Sequence, residues 1–511
     1  MVARISPPVP VGGFSVEGSA LRTSRNALGI IVGLAFVVTI FASPAAGAAA
    51  SSSYQAPTWW EKGQRLLHAT SLPPCGTSSG NFSERTNVDM SNEATPQSET
   101  SIAINPGNSN QIVGGSNEIF CLPMRGYFST QGGKSGSWQA VDLPLPPPLT
   151  TNGQDFGSDP GVAWDTLGNV YYVYIVVFFN RFFSSIQGTE MAVARSSDQG
   201  KDWTATFFNQ NAGTGKFNDK PMITVDTNPS SAHLNTVYVA WDNASFNQGK
   251  SSNNDVILVS SSSDQGATFT SPVPASPSQS GQAAVIGADP FVAPDGTLFV
   301  AWTDAINPAI RVAASHDGGV SFGAPSLIST TNAVFQTLPP AQALRGALIY
   351  PACAADAGAR LYCSWSDATA SSGVGVFVSH SDGGSSWTAP VRIDDATVLN
   401  DQFNQWLSVD PITQNVVLTW YDTRNDSTRK STNYFFSESK NRGATFSANL
   451  QVATASTDET VTGANLGNQY GDYEGVAAFG GSVHPIWTDR RASIAAIPGL
   501  DEEIFTATIK E

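Results

Sequence analysis

Eight residues, Ser262–Phe269 (SSDQGATF), constrain this chain more than any other stretch, because they recur. The pattern S-x-D-x-G-x-T-[WF] returns as SSDQGKDW at Ser196–Trp203, with Asp202 in the Thr place, and as SHDGGVSF at Ser315–Phe322. It returns again as SKNRGATF at Ser439–Phe446, with Asn441 for Asp. In the copy that closes on Trp387, DGGSSW, His380 stands where the first Ser belongs. A degenerate copy from Ser129 to Trp138 carries Gln131 in the Asp place and two extra residues before the Trp. The closing aromatics Trp138, Trp203, Phe269, Phe322, Trp387 and Phe446 are 65, 66, 53, 65 and 59 residues apart. A supersecondary unit repeated at that period predicts a radial array of sheets. Asp or Asn tolerates turn conformations and accepts hydrogen bonds from N–H groups two or three residues on. Gly permits positive φ, and the final aromatic turns back as an apolar plug. The stretch therefore reads as a self-contained hairpin turn whose role is architectural.

From Ser98 onward one unit can be traced seven times around these turns. It has an apolar strand, a second strand often ending in Trp-x-Asp, a third strand entering the turn and a fourth leaving it. First strands begin at SETSIAIN, SDPGVAW, NDKPMITVD, ADPFVAP, IYPACAAD, NQWLSVD and GDYEGVAA. Alternation and a high content of Val, Ile, Tyr and Trp support strands throughout, and no segment shows a convincing helical period. The last unit stops after its third strand, DEEIFTATI, and RTNVDMS at Arg85–Ser91 can supply the missing fourth. Closure of that kind leaves no open sheet edge. The prediction is an all-β, seven-bladed β-propeller of four-stranded antiparallel blades, with a six-bladed ring as the alternative.

Only 13% of the 511 residues are charged, and the formal net charge is −16, which excludes a general phosphate-binding face. Ala27–Phe41 is a 15-residue apolar run preceded by Arg22 and Arg25 and followed by SPAAGAAA. It reads as a signal peptide cut after Ala48, with an uncleaved N-terminal anchor as the alternative. The boundaries expected are a signal peptide at 1–48, a leader at 49–97 that contributes the closing strand, and the propeller at 98–511. The destination is secreted or cell-envelope. Cys75, Cys121, Cys353 and Cys363 make an even count, which in an exported chain suggests two disulfides. PACAADAGARLYC is symmetric about Gly358, so a hairpin there sets Cys353 opposite Cys363 and leaves Cys75 for Cys121.

In a four-stranded meander the starts of first strands and the ends of second strands share one face, opposite the repeated turns. Strand-one starts supply Glu99, Asp159, Asp219, Lys220, Asp289, Tyr350, Gln405, Trp406, Asp472, Tyr473 and Glu474. Strand-two ends supply Glu118, Asn243, Asp304, Asp367, Asp422, Arg424, Asp489, Arg490 and Arg491. A ring of carboxylates with arginines and aromatics is what a saccharide-binding mouth needs, since carboxylates do acid–base work and aromatic faces stack on sugar rings. A repeated Asp also serves as a turn cap or as a link to the neighbouring blade. Calcium held by the acidic mouth stays open, although no ordered ligand spacing appears; no other cofactor is expected.

The turn pattern resembles the Asp box, or BNR repeat, of the sialidase-like β-propellers. That resemblance implies a glycan-active hydrolase of exo-sialidase or glycosidase type, acting as a monomer on a carbohydrate or glycoconjugate. It implies a Tyr nucleophile in the last blade assisted by a Glu, and Tyr473 in QYGDYEGVA looks like that Tyr, with Glu474 adjacent. It also implies arginines that clamp the substrate carboxylate, for which Arg424, Arg490 and Arg491 are the candidates. Asp159 and Asp289 complete the catalytic candidates, and Trp406 and Asp219 the binding ones. The family's Arg-Ile-Pro signature has no counterpart here. A polysaccharide lyase or a non-catalytic glycan- or protein-binding propeller are the alternatives on the same fold.

Overall fold

The computed structural model describes residues 58–68, 75, 82–149, 154–180, 185–212, 216–245, 255–280, 284–369, 373–396, 399–496 and 501–511. The expected signal peptide and its alternative as an anchor lie outside these residues. Among the described residues no helix is long and apolar enough to cross a membrane.

Seven antiparallel sheets form the blades of a β-propeller. Blades 1 to 6 span 97–142, 156–208, 216–274, 285–330, 352–392 and 402–451, each a four-stranded meander in chain order. Blade 7 joins Gly475–Phe479, Ser482–Asp489 and Glu503–Ala507 to Asn87–Asp89 from the other end of the described chain. There Asn87 faces Ala507 and Asp89 faces Phe505. Phe82–Glu84 extends that sheet, and Ile509–Lys510 pairs beside Ser482–Asp489. The first strand of each blade lies against the first strand of the next, and that of blade 7 against that of blade 1, so the ring is closed.

Packing between blades explains the strand sequences. Val170–Asn180 (VYYVYIVVFFN) is buried along its whole length because both faces of its sheet are covered. The Trp residues near the ends of second strands, Trp241, Trp302, Trp365, Trp420 and Trp487, are fully buried and wedge neighbouring blades together. Trp487 of blade 7, for example, stacks on Tyr434 of blade 6 at 5.1 Å. The Asp two places on fastens a nearby loop: Asp304 accepts from the Asn307 N–H at 2.9 Å, and Asp367 accepts from the Asn332 and Ala333 N–H groups.

The repeated turns are hydrogen-bonded hairpins. In Ser262–Phe269 the Ser262 hydroxyl donates to Asp264 and accepts from Gly266 N–H at 2.8 Å, while Asp264 accepts from Thr268 N–H at 2.9 Å. The carboxylate thus reaches four residues on, further than the two or three expected, because the serine satisfies the nearer N–H. In the copy led by His380, Ser381 takes over that role toward Gly384. Phe269 lies flat on Phe208 of blade 2, 4.3 Å away, which shows the closing aromatic acting between blades.

Both expected disulfides are formed. Cys353 and Cys363 face each other across the first hairpin of blade 5 with Cα atoms 4.1 Å apart. Cys75 joins Cys121, with Cα atoms 5.0 Å apart. The longest element with no counterpart in the sequence expectations is helix α1, Thr58–His68 (TWWEKGQRLLH). Its stripe of Trp59, Gly63 and Leu66 has helical spacing, and Gly63 sits where a Cβ would come within 3.8 Å of Phe179.

Candidate functional site

The innermost strands carry a repeated irregularity. Their pairing slips between Ser98 and Thr100, Ser158 and Gly161, Asp219 and Met222, Ile286 and Asp289, and Phe403 and Trp406. At each slip one residue takes left-handed φ: Glu99 (53°), Asp159 (63°), Lys220 (49°), Gly287 (70°) and Asn404 (48°). A bulge of this kind re-aims a side chain. Non-glycine residues held there cost about 1–3 kcal/mol each, and such strain concentrates at functional sites. At Gly287 the space is also closed, since a Cβ would fall 2.3 Å from the Tyr350 ring.

The bulges of blades 1, 2 and 3 converge on one point. Lys220 Nζ lies 2.6 Å from Asp472 Oδ2, 3.3 Å from Asp159 Oδ1 and 3.5 Å from Glu99 Oε1. Arg345 forks onto the other side of Asp472, with Nε 2.7 Å from Oδ1 and a terminal nitrogen 2.6 Å from Oδ2. Asp219, on the strand of Lys220, is buried beside the same group, and its own carboxyl accepts from the Lys220 N–H at 3.1 Å. Asn117 donates to Glu99 at 2.6 Å. Beside this charged layer Tyr473 packs with Met222, Ile286, Phe335, Leu348 and Tyr350. Lys220 Nζ sits 5.7 Å from the centre of the Tyr473 ring.

Two segments outside the repeats complete and cover the cluster. The excursion 331–349 between blades 4 and 5 pairs Gln336–Thr337 with Ala347–Leu348 and delivers Arg345. Helix α1 places Thr58 Oγ1 2.5 Å from Glu99 Oε1 and 2.9 Å from Asn468 Oδ1, and the same oxygen accepts from Arg345 at 3.2 Å. The Trp59 ring stacks on Phe217 at 4.3 Å. Lys62 donates to the carbonyls of Leu122 and Gly157. Under this cover Glu99, Asp159, Lys220 and Asp472 are at most 2% exposed.

Burial and neighbouring charge push the acids apart. Burial pushes Glu99 up to about 8, against the pull of Lys220. Burial also raises Asp159, to about 6, with Lys220 opposing. Burial would raise Asp472 too, but Arg345 and Lys220 overrule it and hold that carboxyl at about 2. Lys220 is held well above its ordinary range: its burial is outweighed by Asp159, Asp472 and Glu99. Burial drives the Tyr473 phenol well above 10, so it keeps its proton at neutral pH, and its hydroxyl donates to the Pro160 carbonyl at 3.1 Å.

Of the residues expected from sequence, Glu99, Asp159, Asp219, Lys220 and Asp472 stand in this cluster, Tyr473 beside it, and Trp406 next to Tyr473 with ring centres 6.1 Å apart. Glu474 ties blade 7 to its neighbours, accepting from Thr100 and Tyr421 hydroxyls at 2.5 Å each and from Thr488 N–H. Asp289 caps the Cys353 N–H of blade 5. Arg424 pairs with Asp422 and Asp395 over the Phe435 ring. Arg491 pairs with Asp489 and Glu84 over Phe505, and Arg490 lies 3.9 Å from Asp501. The three arginines are thus engaged within and between blades 5, 6 and 7. Arg345 and Thr58 were not among the candidates, because neither belongs to the repeat register; Lys220 was in that register, and its bulge is what makes it the hub. Among the described residues no group of three or more His, Cys, Asp or Glu side chains is arranged to hold a metal ion.

No protein-family model and no curated protein matches this chain. Among solved structures it is similar to a protein of unknown function from Dyadobacter fermentans, at 13% identity over 69% of this chain and 94% of that one, TM-score 0.46. It is also similar to the intramolecular trans-sialidase from Ruminococcus gnavus, at 13% identity over 65% and 91%, TM-score 0.43. A third is the α-L-arabinanase from Penicillium chrysogenum, at 11% identity over 69% and 93%, TM-score 0.42. At these identities and scores the likenesses assign neither a family nor an activity, and the propeller rests on its own seven sheets.

Proposed function

We propose that this chain is an exported, glycan-active propeller that hydrolyses a glycosidic bond at the mouth opposite the repeated turns. The observation that carries the reading is geometric: two buried acids, Glu99 and Asp159, share Lys220 Nζ at 3.5 and 3.3 Å, and burial raises both, Glu99 to about 8 and Asp159 to about 6. Two carboxyl groups whose environments drive them apart are what acid–base glycoside hydrolysis requires. Glu99 gives its proton to the glycosidic oxygen as the sugar–oxygen bond breaks. Asp159 takes a proton from the water whose oxygen bonds to the anomeric carbon. Asp472, held at about 2, is too weak a base for that step and serves to fix Lys220 and Arg345. The two disulfides fit an oxidising, extracytoplasmic compartment.

A second reading, binding without turnover, is favoured by one observation: α1 covers the cluster and its Thr58 hydroxyl donates to Glu99. The test is incubation with arabinobiose, lactose, 3'-sialyllactose and a uronate oligosaccharide, followed by mass analysis of products. Hydrolysis that Glu99→Gln and Asp159→Asn each lower by at least 100-fold, in variants that still fold, supports the hydrolase. Retention without products supports the binder, and an unsaturated uronate points to a lyase.

A further inference from the structure

We propose that the pocket filled by Thr58 and Trp59 is a subsite for a neutral sugar, and that helix α1 occupies it as a tethered stand-in. The inference rests on the glycan reading of the mouth and adds a substrate class and a means of control.

The contacts of α1 are those a sugar ring would make. One hydroxyl, Thr58 Oγ1, is met at once by a carboxylate (Glu99), an amide (Asn468) and a guanidinium (Arg345), within 2.5, 2.9 and 3.2 Å. Hydroxyls both donate and accept, and a pocket supplying both kinds of partner to one oxygen is built for them. Next to it a flat ring, Trp59, lies on an aromatic platform, Phe217, at 4.3 Å and 29°. Apolar stacking plus a few convergent polar groups is the ordinary construction of a small-ligand site. The strained φ values at Glu99, Asp159 and Lys220 mark the same spot.

Charge selects the ligand. The cluster sets four carboxyl groups, of Glu99, Asp159, Asp219 and Asp472, against two cations. Lys220 is engaged by three of the four and Arg345 by Asp472 and Glu99. A substrate carboxylate would enter a site whose cations are already spoken for, at a cost of like-charge repulsion in a dry pocket. A polyhydroxylated neutral ring meets no such barrier and restores the burial that α1 provides.

The Cys75–Cys121 bridge keeps α1 close when it leaves, since Cys75 follows His68 by seven residues. A tethered competitor acts at high effective concentration and weakens free sugar accordingly. Trp59→Ala combined with Leu66→Ala removes two fully buried apolar anchors of the helix in the full chain. Calorimetric titration with arabinobiose, lactose and cellobiose should show at least one binding 10-fold or more tighter to this variant than to the unaltered chain. Titration with 3'-sialyllactose should show no such gain. If the variant does not fold, hydrogen exchange on the unaltered chain decides: a saturating neutral disaccharide should raise exchange of the α1 amides at least 10-fold. The inference is overturned if no neutral disaccharide binds either protein, if affinity is unchanged by release of α1, if 3'-sialyllactose alone gains, or if α1 exchange is unmoved at saturation. Binding that tightens without cleavage leaves this inference standing and removes the hydrolase reading. Cleavage of 3'-sialyllactose does the reverse.

Discussion

Lys220 is the residue on which the mouth depends. Its ammonium group is buried among three carboxylates from three segments, and it occupies a left-handed bulge that no β-branched residue would accept. Lys220→Met should therefore destabilise the chain by about 3–5 kcal/mol in a denaturant titration, because it strands buried acids. A change under 1 kcal/mol would show that the acids simply take up protons instead. If the mouth hydrolyses sugars, the rate should follow a bell in pH, rising through about 6 as Asp159 ionises and falling through about 8 as Glu99 loses its proton. A flat profile across that window would remove Glu99 and Asp159 from the acid and base roles. The register of strand starts made Asp159, Asp219, Tyr473 and Trp406 legible as neighbours in sequence. Arg424 and Arg491 are engaged locally: each follows the terminal carboxylate of its second strand by two residues, and an ion pair closes there. Arg345 carried no signal, since it lies in an excursion that no other blade repeats.

At the scale of elements, the hairpin turns and Trp-x-Asp strand ends were legible because each is satisfied within its own repeat or the next. Helix α1 was not, because its stability comes from the mouth it covers; eleven residues with an internal glycine are marginal alone. The two disulfides differ in the loops they close, with separations of 46 and 10 residues. Chain-entropy reasoning assigns about 4 kcal/mol to the longer and between 2 and 3, roughly, to the shorter. Cys75→Ser with Cys121→Ser should accordingly lower the denaturation midpoint more than Cys353→Ser with Cys363→Ser. Calorimetry showing the reverse order would mean that the bridge to the segment after α1 leaves the unfolded chain no freer when it is cut.

For the whole molecule, buried acids set the response to pH. Burial raises Asp89 and Glu93 to about 7, and Asp289 and Glu474 to about 8. Each binds its proton more tightly folded than unfolded, so stability is greatest at low pH and declines as pH climbs from about 4 through those values. Asp472 works in the opposite sense, its contribution fading only as pH falls below about 4. The melting temperature should be higher at pH 5 than at pH 8 by several degrees, roughly, in differential scanning fluorimetry. A lower value at pH 5 would mean that the acids are ionised in the folded chain. The seven units and their closure were countable in sequence because every blade repeats one register. That closure also fixes an order in time. Asn87–Asp89 is synthesised early, yet its partner at Phe505–Ala507 follows more than 400 residues later. At 5–20 residues per second the wait on the ribosome is on the order of 20 to 80 s. Through all of it Val88 and Met90, which end up packed on Ile486 and Ile504, have nothing from the last blade to cover them. Whatever handles the nascent chain must keep that short strand unpaired until Phe505–Ala507 has been made, and a chain cut short before that strand is a ring with a gap.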